Sequence, residues 1–495
     1  SLKVQLNDID SRYLREDQLL TYTILSSYLN TSLDSEGMEL YDQPLSSSLG
    51  IQSQLPILLS EYTFYKKQDI DDYLSLLSSI DTYYDSLIAF ETQRAQAGLG
   101  LCDTVIDNII RSCNAYLIDA DHSFLAETFA SRLNTIDGLS DQEKADYKAK
   151  NKKAIDEHFV PAYERLITGL EGLKGKGTND KGLYYYPEGR KYYEYLVNAS
   201  TGTSYSDVPA LKQAINKQMA KELTAVNQLL NDDPSLGDKL DTSTFTLTKP
   251  QDILEDLKAQ CQTDFPPVND CNYIIKTVPK TLEGFLSPAF YLKVPIDRPE
   301  DNSIYINNKS TDSDSLYTTM AHEGYPGHMY QYAYMYENIQ SPYQKALANS
   351  SAYTEGYAVY AQFYAYKYLT GIDKNVLEAL KENELASYDI MILCDIGIHY
   401  EGWSLDDFSD FISEKGINLE EDSLKTQYKQ LQANPAAFEP YYVGYEEFML
   451  LKETAQNKLG DKFDDKKFHE AILKSGNAPF TVVERNVAAY IKSAK

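Results

Sequence analysis

Residues 321–328 read Ala321-His322-Glu323-Gly324-Tyr325-Pro326-Gly327-His328, and Glu355 follows within Tyr353-Thr354-Glu355-Gly356-Tyr357-Ala358. Two of only six histidines fall in this one stretch. Two imidazoles and a carboxylate form the donor set of a catalytic zinc that keeps one position open for water. A glutamate directly after the first histidine can take that water's proton. The stretch predicts a zinc hydrolase with His322, His328 and Glu355 as metal ligands and Glu323 as base, and within that class a peptidase.

The histidine spacing sets a geometric problem. In His-Glu-x-x-His the two imidazoles share one helix face. Here the histidines are six apart, which leaves the second roughly 120° around a regular helix from the first. Pro326 cannot donate to the His322 carbonyl and clashes with it in a regular turn. Gly324 and Gly327 permit dihedrals that absorb a distortion. The expectation is a helix starting near Ser315, with a two-residue bulge that returns His328 to the face of His322.

The ordered series of motifs resembles the bacterial family called domain of unknown function 885. It begins with Gly182-Leu183 to Tyr193, including Pro187-Glu188-Gly189, and continues with Ser287-Pro288-Ala289-Phe290-Tyr291. His322-Glu323-x-x-Pro326-Gly327-His328 and Glu355-Gly356-Tyr357-Ala358 follow. Asp395-Ile396-Gly397-Ile398-His399 with Gly402-Trp403, Tyr441-Tyr442-Val443-Gly444, and Phe468-His469 with Gly476 and Pro479 complete it. The resemblance covers roughly residues 180–490 and implies a mostly helical fold like that of zinc metallopeptidases with a glutamate third ligand. It supplies no substrate. The family often has a further histidine after His328, where this chain has Met329.

A chain of 495 residues with 43% hydrophobic and 24% charged residues has ample material for a core and a soluble surface. Its net charge of −28 argues against nucleic acid or an anionic membrane as partner. The 42 tyrosines suit amphipathic helices and a wide cleft, where a ring packs while its hydroxyl stays wet. No apolar run is long enough to span a membrane. The chain begins Ser1-Leu2-Lys3, so a removed upstream segment is expected. Cys261 and Cys271 flank a loop they could close, whereas Cys102 and Cys113 lie too far apart along one helix, and Cys394 reads as a buried thiol. These features favour an extracellular or cell-surface location over a cytoplasmic one.

Helices are expected through the first 260 residues. One runs along Ile70-Tyr73-Leu74-Leu77-Ile80-Tyr84-Leu87 with Asp69 as cap, and others cover 101–118, 140–172 and 207–231. Thr248-Lys249-Pro250-Gln251 has capping-box spacing. Strands are expected at 273–278, 289–294 and 303–308, and the third reads as an edge strand able to pair with an extended peptide. Helices resume at 375–399, 406–414, 420–431, 445–459 and 466–475. The fold class is mainly α, with a small antiparallel sheet beside the active-site helix. Residues 1–260 form an N-terminal helical part and 261–495 the zinc part, as one interwoven unit.

Peptide hydrolysis needs a donor to the oxyanion, and His399 and Tyr441 are the candidates. Asp395 could orient His399 or a ligand histidine. Tyr353, Tyr357 and Tyr445 read as core or cleft residues, and His122, His158 and His469 as structural. Two other functions share the motif. One is a metal-dependent amide or ester hydrolase of another kind; the other is a surface protein that binds peptides or solutes around a vestigial metal.

Overall fold

The computed structural model describes residues 2–495 except 48–49, 203–204, 206, 270, 279, 281–282, 284–286 and 311–314. Apolar residues at three- and four-residue spacing give the outer helices a buried face, Ser351–Tyr364 is buried nearly all round, and the helices assemble around two main cores. Leu45 to Leu173 build the first, with Val278 and Tyr305 joining it from the sheet. The second unites Gly189–Thr201, Val208–Asp232 and Pro250–Cys261 with the helices after residue 315.

The run from Ile70 to Leu87 forms two helices, Lys67–Ser78 and Ile80–Gln96, which keep one continuous apolar face across the junction at Ser79. Asp69 does bind the helix start, its Oδ2 accepting from the Tyr65 and Lys66 N–H groups at 2.8 and 3.0 Å. Of the two cap candidates the sequence offers before this helix, Asp207 caps Val208–Asp232 by accepting from Ala210 N, and Ser206 lies outside the described residues. At Pro250 the Thr248 capping box does not form; Lys249 holds the cap position without a side-chain bond.

The sheet departs from expectation in two ways. Its strands are β1 (Tyr273–Thr277), β2 (Ala289–Leu292) and β3 (Asn302–Ile306), in the order β1-β3-β2. β1 pairs parallel to β3 and β2 antiparallel, so the sheet is mixed. β3 is central and buried at all five positions, which leaves it no free edge for a peptide. Its polar residues are spoken for inside the fold: Asn302 donates to the Asn272 and Pro299 carbonyls and accepts from Tyr291 Oη. β2 is the edge strand nearer the histidine motif. Phe290 stacks on Tyr305 and, with Leu292, packs on the N-terminal core, whereas Tyr291 stacks on Tyr332 on the other face. The expected Cys261–Cys271 disulfide is absent; all five cysteines are free and buried.

Helix Lys374–Ile396 packs on Val208–Asp232, and beside them Glu439–Leu459 brings in Tyr442, which donates to Glu222. Burial and mutual repulsion push the carboxyls of Asp389 and Glu222 above the ordinary range, so the pair retains a proton at neutral pH. A raised folded-state pKa favours folding while the group is protonated, and that stability is lost as pH rises through the folded value. The melting temperature is therefore expected to fall between pH 6 and 9. Asp389→Asn should flatten that slope, raising the value at pH 9 by roughly 2–4 °C. Calorimetry showing the same decline in the variant would exclude the pair as its source.

Candidate metal centre

The histidine motif is two helices with a break between them, not one bulged helix. Leu316–Glu323 ends at Gly324, and His328–Asn338 starts four residues later. Gly324 and Gly327 shape the break. A Cβ on Gly327 would lie 1.9 Å from the His322 carbonyl oxygen, and one on Gly324 2.2 Å from the Leu254 side chain. The segment is tied down by Gly327 N–H to Ala321 O, Tyr330 N–H to Gly324 O, and Tyr357 Oη–H to Pro326 O. Breaking the helix re-aims His328 completely. The two imidazoles meet at 89°, with centroids 4.8 Å apart.

Glu355 arrives from Ser351–Tyr364, which crosses Glu439–Leu459 at a glycine contact. A Cβ on Gly356 would fall 2.2 Å from the Gly444 carbonyl carbon, and one on Gly444 1.9 Å from the Ala352 oxygen. This approach explains why glycines follow Glu355 and Tyr441 in the sequence: they let both side chains reach one site. Tyr441 lies nearly parallel to His322, at 6.2 Å and 16°, with Tyr388 beyond it at 6.0 Å.

Glu355 Oε2 lies 3.3 Å from His328 Nε2 and 3.8 Å from His322 Nε2, and the three donor atoms all fall within 4.8 Å of one another. Ligand atoms about 2.1 Å from one tetrahedral zinc would sit roughly 3.4 Å apart, so the set needs only small adjustment. Glu355 Oε2 is buried without a hydrogen-bond partner, as is His328 Nδ1. An orphaned buried carboxylate oxygen facing two imidazole nitrogens fits a cation. Burial would raise the Glu355 pKa, but His328 and His322 hold it below the usual range. Burial likewise opposes charge on His328, yet Glu355 lifts its pKa to about 9. The field favours positive charge at this point.

His322 is oriented by residues the motif does not contain. Its Nδ1 lies 3.1 Å from Gln362 Oε1, and Gln362 Nε2 donates to Glu384 at 2.6 Å. A proton on Nδ1 leaves the Nε2 lone pair facing Glu355 and His328. Gln362 follows Glu355 by two helical turns, so periodicity alone could have flagged it. Glu384, on another helix, left no local signal.

Glu323 closes the site on the sheet side. Its Oε2 accepts the Tyr291 N–H from β2 at 2.7 Å, and its charge reaches His328 and Tyr441. Burial, then the charge of Glu355, holds the Tyr441 phenol well above its ordinary pKa, so it remains an O–H donor.

His399 is not part of this constellation. Its Nδ1 accepts from Leu183 N–H and its Nε2 donates to the Leu431 carbonyl, both at 3.1 Å. Burial lowers its pKa to about 4, consistent with a neutral ring that ties a loop to two helices. Asp395 orients neither His399 nor a ligand: its Oδ1 stands 3.6 Å from His399 Nε2, while Oδ2 accepts from Tyr193 and Ala436. Tyr353, Tyr357 and Tyr445 are core. His469 is enclosed by Tyr360, Phe265 and the Asp264 carbonyl, and His122 and His158 face aspartates.

No curated protein matches the chain. Two solved structures share its fold. A candidate lipoprotein from Colwellia psychrerythraea superposes with a TM-score of 0.78 at 18% identity, covering 91% of this chain and 81% of that one. A candidate lipoprotein of unknown function from Shewanella oneidensis gives 0.60 at 16% identity, covering 98% and 90%. The model of the family described as bacterial protein of unknown function (DUF885) matches residues 2–487, and the chain belongs to that family.

Proposed function

We propose that the chain is a zinc-dependent peptidase acting on short, extended peptides. The observation that carries this reading is the place of Glu323, bound to an edge-strand N–H beside a cation-ready His322–His328–Glu355 set. A zinc ion held there supplies Lewis acidity that polarises a carbonyl and acidifies water. Tyr291 N–H occupies one oxygen of Glu323 and leaves the other to take a proton from the attacking water. Glu323 then passes that proton to the leaving amine. Tyr441 donates its O–H to the oxygen that gains charge. Tyr441→Phe should lower kcat about 10²-fold with bound zinc unchanged; steady-state kinetics beside metal analysis tests this.

Tyr291 N–H points away from β3 and is taken by Glu323, so along its outer edge β2 offers a peptide the Tyr291 carbonyl, which points the same way. An extended peptide can pair there, which favours unstructured peptides over folded proteins. Among the described residues no helix is long and apolar enough to cross a membrane. The descriptions of the two structural neighbours support an extracellular or cell-surface place for the chain. Profiling a mixed peptide library tests the function. New termini that vanish with chelator and return with zinc are expected; an uncut library would overturn the peptidase reading.

A further inference from the structure

Lys293 stands two residues beyond Tyr291, just past the end of β2. Strand alternation puts the two side chains on one face, away from Phe290 and Leu292. That face looks onto His328–Asn338. The Lys293 ammonium lies 5.2 Å from the centre of the Tyr332 ring, and the same ring stacks on Tyr291 at 5.8 Å. Tyr332 in turn feels the charge of Glu355. A chain of adjacent groups therefore links Lys293 to both carboxylates of the site, through Tyr291 to Glu323 and through Tyr332 to Glu355.

Lys293 is exposed, in a chain with 74 acidic and 46 basic residues where other lysines are paired. Lys276 reaches Glu61, Lys381 reaches Glu378 and Glu382, and Lys367 reaches Asp264 and Asp465. Among the described residues no carboxylate pairs with Lys293, and desolvation alone pulls its pKa below the ordinary lysine value. An aromatic face beneath an ammonium holds it in place and satisfies none of its three donors.

We propose that Lys293 is the anchor for a substrate carboxylate on the leaving-amine side of the scissile bond, an inference that rests on the peptidase reading. The first source of that carboxylate is the peptide's own C-terminus. It necessarily lies on the leaving-amine side, which is where Glu323 delivers its proton. Two strand residues span about 6.6 Å, and the lysine side chain extends the reach further. For a peptide running parallel to β2, a terminus one or two residues beyond the cut meets the ammonium, and the enzyme trims peptides from the C-terminal end. An acidic side chain at the same place offers the same chemistry.

The test uses the zinc-loaded full chain and three peptides of one sequence: a free acid, its C-terminal amide, and an amide with glutamate replacing the last residue. Wild type is expected to cleave the free acid about 10- to 100-fold better in kcat/KM than the plain amide, mainly through KM. Lys293→Met should abolish that preference while cleaving the amide as wild type does, and Lys293→Arg should keep it. Preference for the glutamate amide over the free acid would assign the anchor to a side-chain carboxylate. Equal cleavage of all three by wild type, or a preference that survives in Lys293→Met, overturns the proposal and leaves the peptidase reading standing. If none is cut while zinc is bound, both fall together.

Discussion

Glu323→Gln is expected to lose about 10³- to 10⁴-fold in turnover while keeping its zinc and its affinity for peptide. Glutamine matches glutamate in size, and its side-chain carbonyl can still accept the Tyr291 N–H that holds Glu323 against β2. What it lacks is an oxygen able to carry a proton from water to the leaving amine. The loss should therefore fall on kcat and leave KM nearly unchanged. Competitive binding of an uncleaved peptide, measured beside single-turnover rates, separates the two. A variant with full metal content and near-normal turnover would remove Glu323 from the chemistry.

The second large effect concerns the metal itself. His328→Ala removes one of three donors and leaves Glu355 Oε2, already buried without a partner, facing one imidazole. Changes beyond the ligands of a metal commonly cost 10- to 100-fold in affinity, so loss of a ligand should exceed about 10²-fold and take activity with it. His469→Ala is the control. That imidazole is fully engaged by Tyr360 and the Asp264 carbonyl, and zinc binding should be unaffected by its loss. Unchanged zinc content in His328→Ala at limiting metal would contradict the assignment of this histidine.

The metal set was legible because its information is local. Two histidines, the glutamate between them and the Glu-Gly pair after them mark a candidate donor set, and the fold does bring His322, His328 and Glu355 together. The break at Gly324–Gly327 was legible as a distortion but not as two helices, because a proline and two glycines permit either outcome. The sheet was harder to read. Ser303-Ile304-Tyr305-Ile306-Asn307-Asn308 reads as an alternating edge strand between polar turns, yet Ser303 and Asn307 are buried inside the fold. Alternation reports the faces of a strand and carries no information about its lateral neighbours. His399 failed for a related reason. An imidazole four residues after an aspartate resembles an oriented catalytic group, but its partners come from Leu183 and Leu431, set by the tertiary fold. Tyr441 does lie beside His322, because Gly444, three residues on, lets its helix cross that of Glu355. The final helix, Phe480–Ala494, was not anticipated, although Val483, Val487 and Ile491 recur at helical spacing.

Anomalous diffraction at the zinc edge, from crystals of the zinc-loaded chain, tests the central claim most directly. The account predicts one strong peak between His322 Nε2, His328 Nε2 and Glu355 Oε2, with the remaining position free of protein atoms and facing the Glu323 carboxylate. No peak at this place, or a fourth side chain closing the shell, would contradict it.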